Sequence, residues 1–164
     1  EDLGSSSIIN GMVADRIPMG KFTVPSTNYA NLVAEFGVPY FLKIDIEGAD
    51  MIVLQQLRNT SVRPPFISVE EYGVQALDDL QRLGYRQFAF VAQSNKLMKP
   101  PCPAREGSYV DRTFSDFDSG LFGRELPGPW LPYAAARSTY LAGIRREDSS
   151  YVGPENQWFD IHAR

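Results

Sequence analysis

Lys43, Asp45 and Glu47 alternate with Leu42, Ile44 and Ile46 in the run Phe41-Leu42-Lys43-Ile44-Asp45-Ile46-Glu47-Gly48. On a strand, successive side chains point to opposite faces, so Asp45 and Glu47 share a face about 7 Å apart, with Lys43 one step behind them. Two such carboxylates can take a proton from a substrate hydroxyl or help hold a hard cation. Lys43 suits an orienting role. The plainer alternative is an ion pair between Asp45 and Lys43, or Glu47 capping the helix that follows. A second acidic pair, Glu70-Glu71, ends the run Phe66-Ile67-Ser68-Val69-Glu70. Only one of the two can look toward Asp45, and Glu71 reads as a solvated loop acid. Convergence of Asp45, Glu47 and one of these would raise a carboxyl pKa or recruit a divalent cation. Two further groups carry less. Asp116-Phe117-Asp118-Ser119-Gly120 has the opening of a calcium loop without its closing Glu, and polar turn residues explain it as well. Asp160 and His162 share a strand face, but no Gly-x-Ser-x-Gly elbow supplies a nucleophile. An exposed or capped histidine is the expectation, with a place in a substrate pocket as the alternative.

The elements that must position these groups follow from apolar spacing. Phe22-Thr23-Val24 suits a short strand stopped by Pro25. Ser26 or Thr27 then supplies an N-cap, and Tyr29, Leu32, Val33 and Phe36 form one helical face, expected to be mostly buried. Gly37 and Pro39 end that helix. Phe41 to Ile46 is expected as an interior strand with helices on both faces of the sheet, parallel to Phe66 to Glu70, with Asp45 and Glu70 at the same end. Gly48 makes the turn, and Asp50 falls in the first turn of a helix running to Leu57, where negative charge is favoured. Leu77, Leu80 and Leu83 define a third helix closed by Gly84, Tyr85 to Gln93 a strand, Ala134 to Ile144 a last helix, and Trp158 to His162 a closing strand. Between them, Phe114 to Pro132 reads as a cover loop packed by its aromatics.

Composition limits the alternatives. With 164 residues and 43% apolar content, the chain can bury one core and reads as a single domain, 1–164. A net charge of −4 with no basic cluster speaks against nucleic acid and anionic membranes as partners. One cysteine, Cys102, leaves no internal disulfide and fits a reducing compartment, so a cytoplasmic location is expected. A single histidine beside that cysteine makes a zinc site improbable, and no metal ligands are assigned.

Lys43-Ile44-Asp45-Ile46-Glu47-Gly48-Ala49-Asp50, followed by Val53-Leu54, resembles the signature of the FkbM-type S-adenosylmethionine-dependent methyltransferases. Phe66-Ile67-Ser68-Val69-Glu70 is similar to that family's next strand, which ends in Glu, and so singles out Glu70. The likeness covers the first half of the chain well and the last third loosely. It implies an α/β, Rossmann-like methyltransferase fold with a mainly parallel sheet and flanking helices. No stretch matches the family's glycine-rich loop, and Glu1 to Lys21 reads as the tail of something that begins earlier. The chain is therefore expected to be the carboxyl-terminal portion of such a domain, inactive alone. The resemblance implies methyl transfer from S-adenosylmethionine to a hydroxyl of a small molecule or sugar. Asp45 is then the base or cation ligand, supported by Glu47, Glu70 and Lys43, with Asp45 and Gly48 toward the cofactor. A non-catalytic interaction module of the same fold and a Mg²⁺-dependent hydrolase using strand-end carboxylates are the alternatives.

Overall fold

Residues 25–46, 48–94, 99–115 and 118–164 are described by a computed structural model. The elements are α1 (Tyr29–Phe36), β1 (Phe41–Ile44), α2 (Asp50–Arg58), β2 (Phe66–Glu70), α3 (Val74–Arg82), β3 (Gln87–Ala92), β4 (Leu131–Pro132), α4 (Tyr133–Gly143) and β5 (Phe159–Ala163). They form a mixed α/β structure around a five-stranded sheet of order β1-β2-β5-β3-β4. The run at residues 22–24 lies outside the described residues.

β1 and β2 are parallel, as their sequences led one to expect, in the register Phe41↔Phe66 to Ile44↔Val69. The remaining neighbours are antiparallel, so the sheet is mixed and not the mainly parallel one expected. The reason lies at the end of the chain. β1, β2 and β3 run the same way, but β5 inserts between β2 and β3 in the opposite sense. β1 ends at Ile44, two residues short of the expected span, and its strand neighbour among the described residues is β2.

Period-two alternation sorts the strands onto two unlike faces. One face carries Ile44, Ile67, Val69, Phe88, Ile161 and Ala163, all buried in a single cluster. Tyr29 of α1, Leu54 and Leu57 of α2, Leu77 and Leu80 of α3, and Ala136 and Tyr140 of α4 complete that cluster. All four helices among the described residues, including those just before and just after β1, thus share a core with the same face, where helices on both were expected. The opposite face bears Lys43, Ser68, Asp160 and His162, side chains that an apolar helix stripe cannot satisfy. The segment after β3 packs there instead: Leu121 and Leu126 are buried with Ala89, flanked by Val91, Phe114 and Trp130. Phe122 stacks on Phe41 at 4.5 Å. Glu106 accepts from the Tyr40 hydroxyl and, at 3.0 Å, from the backbone N–H of Arg124.

α1 departs from its pattern. Asn28, not Ser26 or Thr27, is the N-cap, its side chain accepting from the Asn31 N–H at 2.9 Å. Gly37 ends the helix at φ 81°, a conformation glycine adopts without steric cost. Only half of the expected face is covered: Tyr29 is buried and Val33 half-buried, whereas Leu32 is 41% and Phe36 75% exposed. Tyr29 and Val33 carry the contact of α1 with the core, and Leu32 and Phe36 lie outside it. Leu80→Ala in α3 should therefore cost about 2–5 kcal/mol, and Leu32→Ala no more than about 1 kcal/mol. Urea denaturation of both variants checks this; equal losses would place Leu32 in a core where the structure does not put it.

Candidate active site

The polar face of the sheet is ordered in rows that run across the strands. Lys43, Ser68, His162 and Ala89 are paired in one row. The next row toward the carboxyl end of β1 and β2 holds Glu70, Asp160 and Val91. Asp45 follows the last paired residue of β1, as Glu70 follows its partner Val69, so the two acids stand at the same end. Beyond Asp45 the chain turns at Gly48, whose φ of 90° is one that side-chain-bearing residues rarely adopt. The Gly48 N–H donates to Asp50 Oδ2 at 3.1 Å, so the first residue of α2 ties the turn down where Ala49, the N-cap, has no side-chain bond to offer. Asp50 is buried there, at the positive end of the helix.

Lys43 is the hinge of the arrangement. Its Nζ lies 3.0 Å from Asp160 Oδ2 and 3.3 Å from Asp45 Oδ2. Burial alone would lower the Lys43 pKa, but Asp160 and then Asp45 outweigh it and leave the ammonium group raised. Asp160 is buried, whereas the Asp45 side chain is 44% exposed. Glu70, half-buried, accepts from the Tyr72 hydroxyl at 2.9 Å. Among the described residues no three His, Cys, Asp or Glu side chains group closely enough to hold a metal ion. Glu47 and the pair at 116–117 lie outside the described residues.

Glu71 corrects its expectation as a solvated loop acid. It is buried and takes both Arg145 Nε and Arg145 Nη2 at 3.0 Å, together with the Tyr140 hydroxyl at 2.6 Å. Burial first, and the Glu71 carboxylate second, push the Tyr140 phenol well above its ordinary pKa. This network faces the helical side, away from Asp45, as alternation with Glu70 requires. Arg145→Met would strand the Glu71 charge and should cost about 3–5 kcal/mol. Adding Glu71→Leu should recover much of that loss in urea denaturation; no recovery would mean that packing, not the stranded charge, sets the cost.

His162 is likewise neither exposed nor capped. It is 3% exposed, its ring lies parallel to Phe41 at 6.1 Å, and its Nε2 has no hydrogen-bond partner. Desolvation, reinforced by the neighbouring Lys43 charge, depresses its pKa from 6.5 to about 4. The unfolded chain therefore takes up this proton first as pH falls. The His162 contribution to stability is present above about pH 6.5 and is lost toward pH 4, by up to about 3 kcal/mol. Since His162 is the protein's one histidine, its imidazole NMR signals report it alone. They should remain those of neutral imidazole down to about pH 4.5, and a midpoint near 6.5 would contradict its burial.

Sequence reasoning missed Ser68 as a site residue and the pairing of Lys43 with Asp160. Ser68 had a signal, since it shares a face with Glu70 two residues on. The Lys43–Asp160 contact, 117 residues apart in sequence, had none. Among the described residues no helix is long and apolar enough to cross a membrane.

No curated protein and no solved structure matches the chain. The family model described as the methyltransferase FkbM domain matches residues 2–91, a span that takes in β1, the Gly48 turn, α2, β2 and α3. The chain belongs to the FkbM methyltransferase domain family, and methyl transfer is the activity that membership implies.

Proposed function

We propose that this domain is of the Rossmann-like type and, within the full-length protein, serves transfer of the methyl group of S-adenosylmethionine to a hydroxyl of a small molecule or sugar, with Asp45 taking the hydroxyl proton. The observation that carries this reading is the state of Asp45. It stands half-exposed at the carboxyl end of a parallel strand pair, where open α/β sheets bind ligands, and is held by a lysine that a buried aspartate anchors. The donor set fits the cofactor: Asp45, Glu70 and Asp160 together outnumber the Lys43 ammonium, a negative balance that suits a sulfonium cation. When bound, S-adenosylmethionine supplies an electrophilic methyl group. Asp45 receives the proton as the acceptor oxygen attacks, Lys43 fixes the direction of its carboxylate, and Glu70 with Tyr72 lines the same end. Gly48 brings backbone close to that end of the strand. The Mg²⁺-dependent alternative has no grouping of three potential ligands behind it among the described residues.

Methyl transfer from radiolabelled S-adenosylmethionine to a panel of monosaccharides and polyols, with calorimetric titration of the cofactor, tests the assignment. Asp45→Asn should lower turnover by about 10²–10⁴-fold. Cofactor affinity should fall far less than turnover, since Glu70 and Asp160 still outnumber the Lys43 ammonium and almost no volume is lost. Full turnover in the Asn variant removes Asp45 from the mechanism.

A further inference from the structure

Five buried polar side-chain atoms among the described residues lack a hydrogen-bond partner: Tyr29 Oη, Asp50 Oδ1, Ser68 Oγ, Glu125 Oε2 and His162 Nε2. Three of them stand singly, on α1, on α2 and in the segment that covers the sheet. Ser68 and His162 are different, because they face each other directly across the β2/β5 pairing and point to the same side. We propose that Ser68 Oγ and His162 Nε2 form a two-point subsite for one hydroxyl-type oxygen, supplied by an alcohol group of the acceptor or by water.

The chemistry of the two groups is complementary to such an oxygen. A serine hydroxyl can donate and accept, and a neutral imidazole nitrogen can do one or the other, so a single hydroxyl between them satisfies both. Cross-strand partners have Cβ atoms roughly 4.5–5.5 Å apart, a spacing that one bridging oxygen can span. Leaving polar atoms of two paired residues buried and bare is costly, and native proteins rarely do it without a guest or a role. Lys43 shares the row, and its charge acts on His162. Ser68 is the smallest polar side chain in the row, and the ring of Phe41 lies parallel to that of His162 at 6.1 Å. Phe122, 42% exposed, stacks in turn on Phe41. The subsite rests on its own geometry; only the alcohol as its source rests on the methyl-transfer reading.

Because there is one histidine, labelling the protein with ¹⁵N-histidine gives a spectrum of His162 alone. Long-range ¹H–¹⁵N correlations and water cross-relaxation would be recorded at pH 7 for the wild type and for Ser68→Ala, with and without methyl glucoside. A hydrogen-bonded Nε2 shift is expected in the wild type. A cross-peak at the water frequency assigns the oxygen to water, and a saturable Nε2 shift on adding methyl glucoside assigns it to an alcohol. Ser68→Ala should abolish whichever signal is seen and lower the melting temperature. The absence of both signals in the wild type overturns the subsite, as does a Ser68→Ala protein that keeps the signal or melts higher, the behaviour of a hydroxyl that was simply orphaned. Failure of the methyl-transfer assay leaves these spectra unaffected, so the two readings fail separately.

Discussion

An ammonium group set into a sheet face must be matched by carboxylate, because a desolvated and unpaired charge costs more than local packing can return. In this protein that constraint falls on Lys43, and Asp160 meets it from the last strand of the chain. The pairing explains why a strand from the far end of the sequence lies where it does. β5 must be near enough to β1, with β2 between them, for Asp160 to reach the lysine across one intervening strand. It also explains the unequal treatment of the two faces. A face that carries Lys43, Asp160, His162 and Ser68 cannot receive a helix stripe, so the four helices gather on the other side and an irregular segment closes this one.

Register then becomes strict. Shifting β5 by one residue against β2 would exchange Asp160 and His162 for Ile161 and Ala163, burying apolar side chains against Lys43 and placing an acid in the helical core. The same alternation separates Glu70 from Glu71. One joins the row with Asp160, and the other turns to Arg145 and Tyr140, which come from α4 and the residues just after it. Two neighbouring acids of one chain thus serve opposite sides of the sheet, one near the candidate chemistry and one locking α4 to the end of β2.

What the sequence disclosed follows the range of the forces involved. The run from Phe41 through Gly48 into α2 was legible because alternation, a glycine turn and an acid at the helix start are all local. Leu77, Leu80 and Leu83 were legible as a buried stripe for the same reason. The parallel pairing of β1 with β2 followed from the helix between them. The place of β5 was not legible, since order along the chain carries no information about order across a sheet. Nor was the partnership of Glu71 with Arg145, 74 residues away, or that of Lys43 with Asp160. Leu32 and Phe36 show the converse failure. Their spacing on α1 is that of a core face, but burial depends on what lies opposite, and periodicity reports only the face.

The two aspartates on Lys43 share its charge but differ in exposure. Both share the ammonium through one oxygen, Asp160 at 3.0 Å and Asp45 at 3.3 Å. Asp160 is buried on the polar face of the sheet, and its carboxylate holds the lysine. Asp45 stands past the end of its strand with its side chain 44% exposed, and the longer of the two contacts is its own. The lysine can therefore orient Asp45 without consuming it. Of the two carboxylates, the one at the strand end is the one solvent reaches, and Asp160 is what keeps the charge that orients it in position.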